Sequence, residues 1–114
     1  MNAELDPEDA KIITLARSAR ARSGAAAGAA VRDETGRTYA AVDVSLPSLS
    51  LSALQVAVAM AVSSGAESLE AAAVVSAAEP AEADLAAARE MKAARVLLAG
   101  IDGAFVKSYE NSGH

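Results

Sequence analysis

Residues 47–65, PSLSLSALQVAVAMAVSSG, place the strongest constraint on the fold. After a short Ser/Leu-rich lead, the run from Leu51 through Leu54, Val56 and Val58 to Met60 and Val62 leaves a helix with hardly a polar face. Gly65 supplies its left-handed terminator, Pro47 holds the loop before it, and Ser48 or Ser50 is the candidate cap. Such a helix is expected to be buried on nearly all sides. One small domain rarely encloses a helix completely, so the segment also implies a partner subunit.

The rest of the chain has to build its core without help from disulfides. Its 114 residues are one ordinary domain in size, 53% of them are hydrophobic, and there is no cysteine to form disulfides, thiolate metal sites or a thiol nucleophile. The apolar residues are mostly Ala and Val, with one Phe, two Tyr and no Trp. Alanine buries little area, so such a core gains by close approach of its elements, and a homo-oligomer is again the expectation. A formal net charge of −5 with no basic run disfavours nucleic acid. The start MNAELDPEDA does not read as a signal peptide, and Val56 to Val62 is too short to span a membrane. We expect a cytoplasmic protein with no membrane partner.

Local signals order the remaining elements. Asp6-Pro7 with Glu8 and Asp9 starts a helix whose stripe of Ile12, Ile13, Leu15, Ala16 and Ala19 runs to about Ser23, where Gly24 ends it. DETG at 33–36 is a turn joining two strands, AAAGAAVR and RTYAAVDV. Gly28 in the first is either an ordinary strand glycine or a point of close approach by backbone or ligand. SLEAAAVVSAA at 68–78 and RVLLAG at 95–100 read as buried strands, AEADLAAAREMKAA between them as a helix with Leu85, Ala88 and Met91 inward. Asp102-Gly103 offers a turn before a last strand or an extended tail, and NSGH reads as a frayed end. The order α-β-β-α-β-α-β, with a possible final β, is that of a sheet covered by helices in a single domain over 1–114, its ends 1–6 and 109–114 flexible.

Catalytic candidates are few. His114 is the only imidazole and sits at the terminus, and GAAAG at 24–28 lacks the Lys-Ser/Thr of a phosphate loop. Asp33, Glu34, Glu79, Glu82 and Asp102 fall in turns and helix starts, where acidic residues belong for structural reasons. Asp43 stands out because it lies near a strand end, just before the buried helix.

In element order and local strings the sequence resembles the cytidine deaminase superfamily, and most of all the small zinc-dependent nucleoside deaminases. The resemblance covers residues 9 to about 103 and is strongest in GAAVRDETGRTYAAVDV, with SALQVAVAMAVSSG, EAAAVVSAAEP and RVLLAGIDG following in order. It implies a three-layer α-β-α sandwich with a mixed sheet of about five strands flanked by helices, and a dimer or tetramer. It also implies zinc, held by a [His/Cys]-x-Glu motif at the second helix and Pro-Cys-x-x-Cys at the third, with the Glu shuttling protons.

Those motifs align on Ser52-Ala53-Leu54 and on EPAEADLAAAR. Ser52 takes a ligand position, Leu54 the proton-shuttle position, and Asp84 and Ala87 about the two cysteine positions. The substrate-binding Asn aligns on Asp43, and the Glu two residues later on Ser45. Ser is a very poor zinc ligand at neutral pH, Leu54 cannot transfer a proton and Ala87 cannot coordinate, so no zinc or other cofactor is expected. The expectation is a catalytically inactive, oligomeric structural or interaction module, with Asp43, Ser45, Ser52, Leu54 and Asp84 as its degenerate pocket. A nucleoside-type binding module is the alternative; a residual deaminase, or different chemistry on Asp43 and Asp84, has least support.

Overall fold

The computed structural model describes residues 5–110. The chain runs α1 (Pro7–Ser23), β1 (Gly28–Asp33), β2 (Thr38–Val42), β3 (Val44–Leu46), β4 (Leu49–Leu51), α2 (Ala53–Ser63), β5 (Leu69–Val75), α3 (Glu82–Glu90), β6 (Arg95–Ala99) and β7 (Phe105–Glu110). His114 and the rest of NSGH, like residues 1–4, lie outside the described residues.

Five strands form one mixed sheet in the order β2-β1-β5-β6-β7. Only the β5–β6 pair is parallel, joined by a crossover through α3; β1 pairs antiparallel with both β2 and β5, and β7 antiparallel with β6. Alternation of side chains across the pleat gives two cores. Ala30, Ala71, Ala73, Val75 and Leu97 face Ile12, Ile13 and Ala16 of α1. Ala29, Val31, Ala72, Val74 and Leu98 face Leu54, Ala57, Val58 and Ala61 of α2, with Ala88 of α3. The result is the expected α-β-α sandwich.

Local chemistry sets the α1 boundaries. Asp6 accepts from the Glu8 amide at 2.8 Å, Pro7 opens the helix, and Gly24 closes it at φ 72° with its amide bonded to the Arg20 carbonyl. Gly28 begins β1 where the α1 backbone passes, which settles the choice left by the sequence in favour of a neighbouring backbone.

The segment before α2 differs from expectation. Val44-Ser45-Leu46 and Leu49-Ser50-Leu51 pair as an antiparallel hairpin with Pro47 and Ser48 at its turn, where a plain loop was expected. The two triplets alternate in period two about a two-residue turn, the pattern of a short hairpin. Neither Ser48 nor Ser50 caps α2; that role falls to Ser52. Within the single chain α2 is not fully enclosed: Met60 is 40% and Val62 49% exposed, because the sheet covers one face and the nine-residue α3 leaves part of the other open. The third helix ends at Glu90, and Lys92 in the left-handed region turns the chain toward β6. Residues 105–110 form an edge strand, the first of the two forms the sequence allowed.

Candidate functional site

The N-termini of α2 and α3 approach each other on one face of the sheet. Ser52 precedes α2 in an extended conformation and its Oγ accepts from the Gln55 amide at 3.0 Å, while Gln55 Oε1 accepts from the Ser52 amide at 2.9 Å. This reciprocal capping box uses two amide donors that the first helical turn cannot satisfy. The Ser52 hydroxyl proton is then directed at Asp84, whose Oδ1 accepts it at 2.6 Å. Asp84 lies in the first turn of α3, and its Oδ2 accepts from the Ala81 amide at 3.2 Å. One carboxylate thus ties two helix starts, a position that suits negative charge.

Of the residues expected to share a pocket, the structure joins these two. Leu54 is 1% exposed and belongs to the apolar core on the α2 side. Asp43 lies between β2 and β3, and its Oδ1 accepts from the Ala27 amide at 2.9 Å, tying the α1–β1 connection to the end of the first hairpin. Ser45 is exposed on β3, paired in register with Ser50.

The donor set does not fit a zinc ion. It offers a neutral hydroxyl that already donates its proton, one carboxylate engaged with two donors, and the Ala87 methyl. Zinc sites draw on thiolate, imidazole and carboxylate groups, three or more at once. Among the described residues no group of three His, Cys, Asp or Glu could hold a metal.

A family model described as cytidine deaminase-like matches residues 5–103. The chain belongs to the cytidine deaminase-like family. Solved structures agree on the fold. A cytidine deaminase from Burkholderia pseudomallei superposes with a TM-score of 0.76 at 22% identity, over 89% of this chain and 91% of that one. A mutant cytidine deaminase from Mycobacterium tuberculosis gives 0.71 at 23% identity, over 95% and 93%. A second M. tuberculosis structure gives 0.68 at 25%, over 82% and 85%. The comparison with curated proteins gives no match.

Sequence reasoning passed over a second polar cluster, on the α1 face of this cytidine deaminase-like domain. Asp9 is 2% exposed; Arg32 Nη2 donates to its Oδ1 and Arg95 Nε to its Oδ2, both at 3.0 Å. Arg32 Nε donates to Glu70 at 2.7 Å. Glu70 reaches this side because the β1–β5 register shifts there: Arg32 pairs with Ala71 and Asp33 with Leu69, leaving Glu70 as the bulged residue. Arg32 Nη1 is buried and takes no partner among the described residues. A charged residue inside the β1 run was the available signal; the AAAGAAVR string reads as a hairpin strand, and its arginine was assigned no role.

Asp33 is a turn residue, as the sequence placed it, and a buried one. It is 2% exposed, and its Oδ1 accepts from the Thr35 amide and hydroxyl and the Arg37 amide, its Oδ2 from the Tyr39 hydroxyl at 2.9 Å. Burial pushes this carboxyl up, but the Thr35, Tyr39 and Arg37 hydrogen bonds outweigh it and hold Asp33 below the ordinary value. Burial raises the Tyr39 phenol, as do its bond to Asp33 and the charge there, against a smaller opposing pull from Arg37. These groups organise the hairpin turn.

Proposed function

We propose that the chain is a catalytically inactive cytidine deaminase-like protein that acts as an oligomeric structural or interaction module. The observation that carries this reading is the 2.6 Å bond from Ser52 to Asp84, with Leu54 sealed in the core beside it. Deamination of this type needs a metal-activated water and a carboxyl group to move protons. Here the hydroxyl and carboxylate satisfy each other and two helix caps, and the proton-shuttle position is a hydrocarbon. The expected result is no stoichiometric zinc by elemental analysis of purified protein and no cytidine turnover; either bound zinc at one per chain or clear deamination would overturn the reading.

Oligomerisation is supported by the apolar residues that the fold leaves outside. Leu46 and Leu49 on the β3–β4 hairpin are 58% and 48% exposed, and Met60 and Val62 stand out from α2. A dimer or tetramer would cover them. Light scattering should give a mass of two or four chains, and a monomer at high micromolar concentration would refute it. No helix among the described residues is long and apolar enough to cross a membrane, and a chain without cysteine suits the reducing cytoplasm, where we place it.

One observation favours the alternative of a nucleoside-type binding module. Asp43 is partly buried, and while its Oδ1 holds the Ala27 amide, its Oδ2 takes no hydrogen bond from the described residues. A ribose hydroxyl is a suitable donor for that oxygen. Calorimetry against a nucleoside panel decides, and absence of heat at millimolar ligand removes this reading.

A further inference from the structure

The two edges of the five-stranded sheet are built differently. At the β7 edge the register shifts between Leu98 and Ala99, Lys107 lies over the Tyr109 ring at 4.8 Å, and Tyr109 donates to Glu79 at 2.8 Å. A bulge and a lysine are the usual protection of a free edge against strand addition. The β2 edge has neither: residues 38–42 pair with β1 in unbroken register and carry the sequence TYAAV, with no charge and no proline. Its outer backbone groups have no strand of the described residues beside them.

Next to that edge runs a groove of about 350 Å³, between Ala40, Ala41 and Val42 of β2 and Ala19, Arg22 and Ser23 of α1. Apart from Arg22 its walls are Ala, Ser and Val, so a chain laid along β2 can approach closely. At its lip Arg22 is exposed and its guanidinium makes no ion pair or hydrogen bond among the described residues, although the chain as a whole carries −5. An unprotected edge supplies main-chain affinity, a groove on one face accepts every second side chain, and an unpaired cation selects charge; together these are the parts of a strand-addition site.

We propose that the β2 edge and the α1–β2 groove bind an extended peptide segment of a protein partner, with an acidic side chain set against Arg22. The proposal stands independently of whether the Ser52–Asp84 site deaminates. It is tested by titrating the labelled full chain, in amide NMR, with three capped octapeptides: alternating Val and Glu, alternating Val and Lys, and the Glu peptide N-methylated at alternate amides. The Glu peptide is expected to shift the amides of residues 19–23 and 40–42; the Lys peptide should bind roughly ten-fold more weakly and the methylated one not at all. Arg22→Glu, an exposed change, should cost the Glu peptide about ten-fold in Kd; Arg22→Ala serves in its place should that variant lose its native spectrum. No shift at millimolar peptide, shifts confined to other elements, or equal binding of the Lys peptide would overturn the proposal. Protection of the β2 amides by self-association of the chain would overturn it too.

Discussion

Gly28 passes so close to α1 that a β-carbon on it would stand 2.2 Å from the Ala16 carbonyl oxygen. The obstacle is backbone, and the Arg20 side chain and amide also lie at 3.0 and 3.1 Å, so no rotamer relieves the clash. The alanine-rich interior depends on this approach: Ala16 and Ala30 are fully buried where helix and sheet meet. Gly28→Ala must therefore shift α1 against the sheet, and we expect a loss of about 1–3 kcal/mol. Urea unfolding would measure it; a midpoint within error of the parent chain would show that α1 adapts freely.

The Ser52–Asp84 bond should be measurable as a coupling. Ser52→Ala removes the α2 cap and the donor to Asp84 together, and is expected to cost about 1–2 kcal/mol. Asp84→Ala removes the acceptor and its hold on the Ala81 amide. In the double variant the losses should fall short of their sum by about 1 kcal/mol, the mark of a direct contact. Strict additivity in the denaturation series would mean that the bond contributes nothing to joining the helices.

Much of this fold was legible because its signals are local. Asp6-Pro7 and Gly24 bound the first helix, and DETG marks the turn between β1 and β2, since both depend on a few adjacent residues. The alignment of Ser52 with Asp84 across 32 positions came from the family resemblance, and the contact between them needed the structure. The ion cluster of Asp9, Arg32, Glu70 and Arg95 was illegible for a related reason. Its members come from four elements, and Glu70 joins only through a bulge that no pattern in EAAAVV announces. That one domain would not enclose α2 was legible from its hydropathy, but which residues stand outside, Met60 and Val62, depends on where the sheet and α3 fall.

That cluster carries a prediction about sign. Asp9 is the sole buried anion facing Arg32 and Arg95 among the described residues, since Glu70 is exposed; Asp9→Asn should leave two guanidinium groups undercompensated and cost about 3–5 kcal/mol. Replacing Asp9 by Leu together with Arg32 by Met removes both buried charges, including the unpartnered Nη1, and should recover most of that loss. Thermal unfolding of the two variants side by side distinguishes them. A double variant less stable than Asp9→Asn would mean that the charges themselves hold α1 to the sheet.

The turn built on Asp33 predicts a pH dependence. The folded carboxyl titrates below its unfolded value, so its stabilising contribution is complete above the unfolded pKa of about 3.9 and is lost as pH falls through the lower folded value. Tyr39 runs the opposite way. Its folded pKa is raised, so its contribution is complete below the unfolded value of about 10 and is lost as pH rises through the higher folded one. Asp33→Asn should therefore lower stability at pH 7 and flatten the decline between pH 4 and the acid range, while Tyr39→Phe should flatten the alkaline limb. Both follow from the single 2.9 Å bond from the Tyr39 hydroxyl to Asp33 Oδ2, with the Thr35 and Arg37 donors on the other oxygen. Urea midpoints taken across the pH range test the pair, and an acid limb in Asp33→Asn as steep as in the parent chain would assign acid unfolding to other carboxylates.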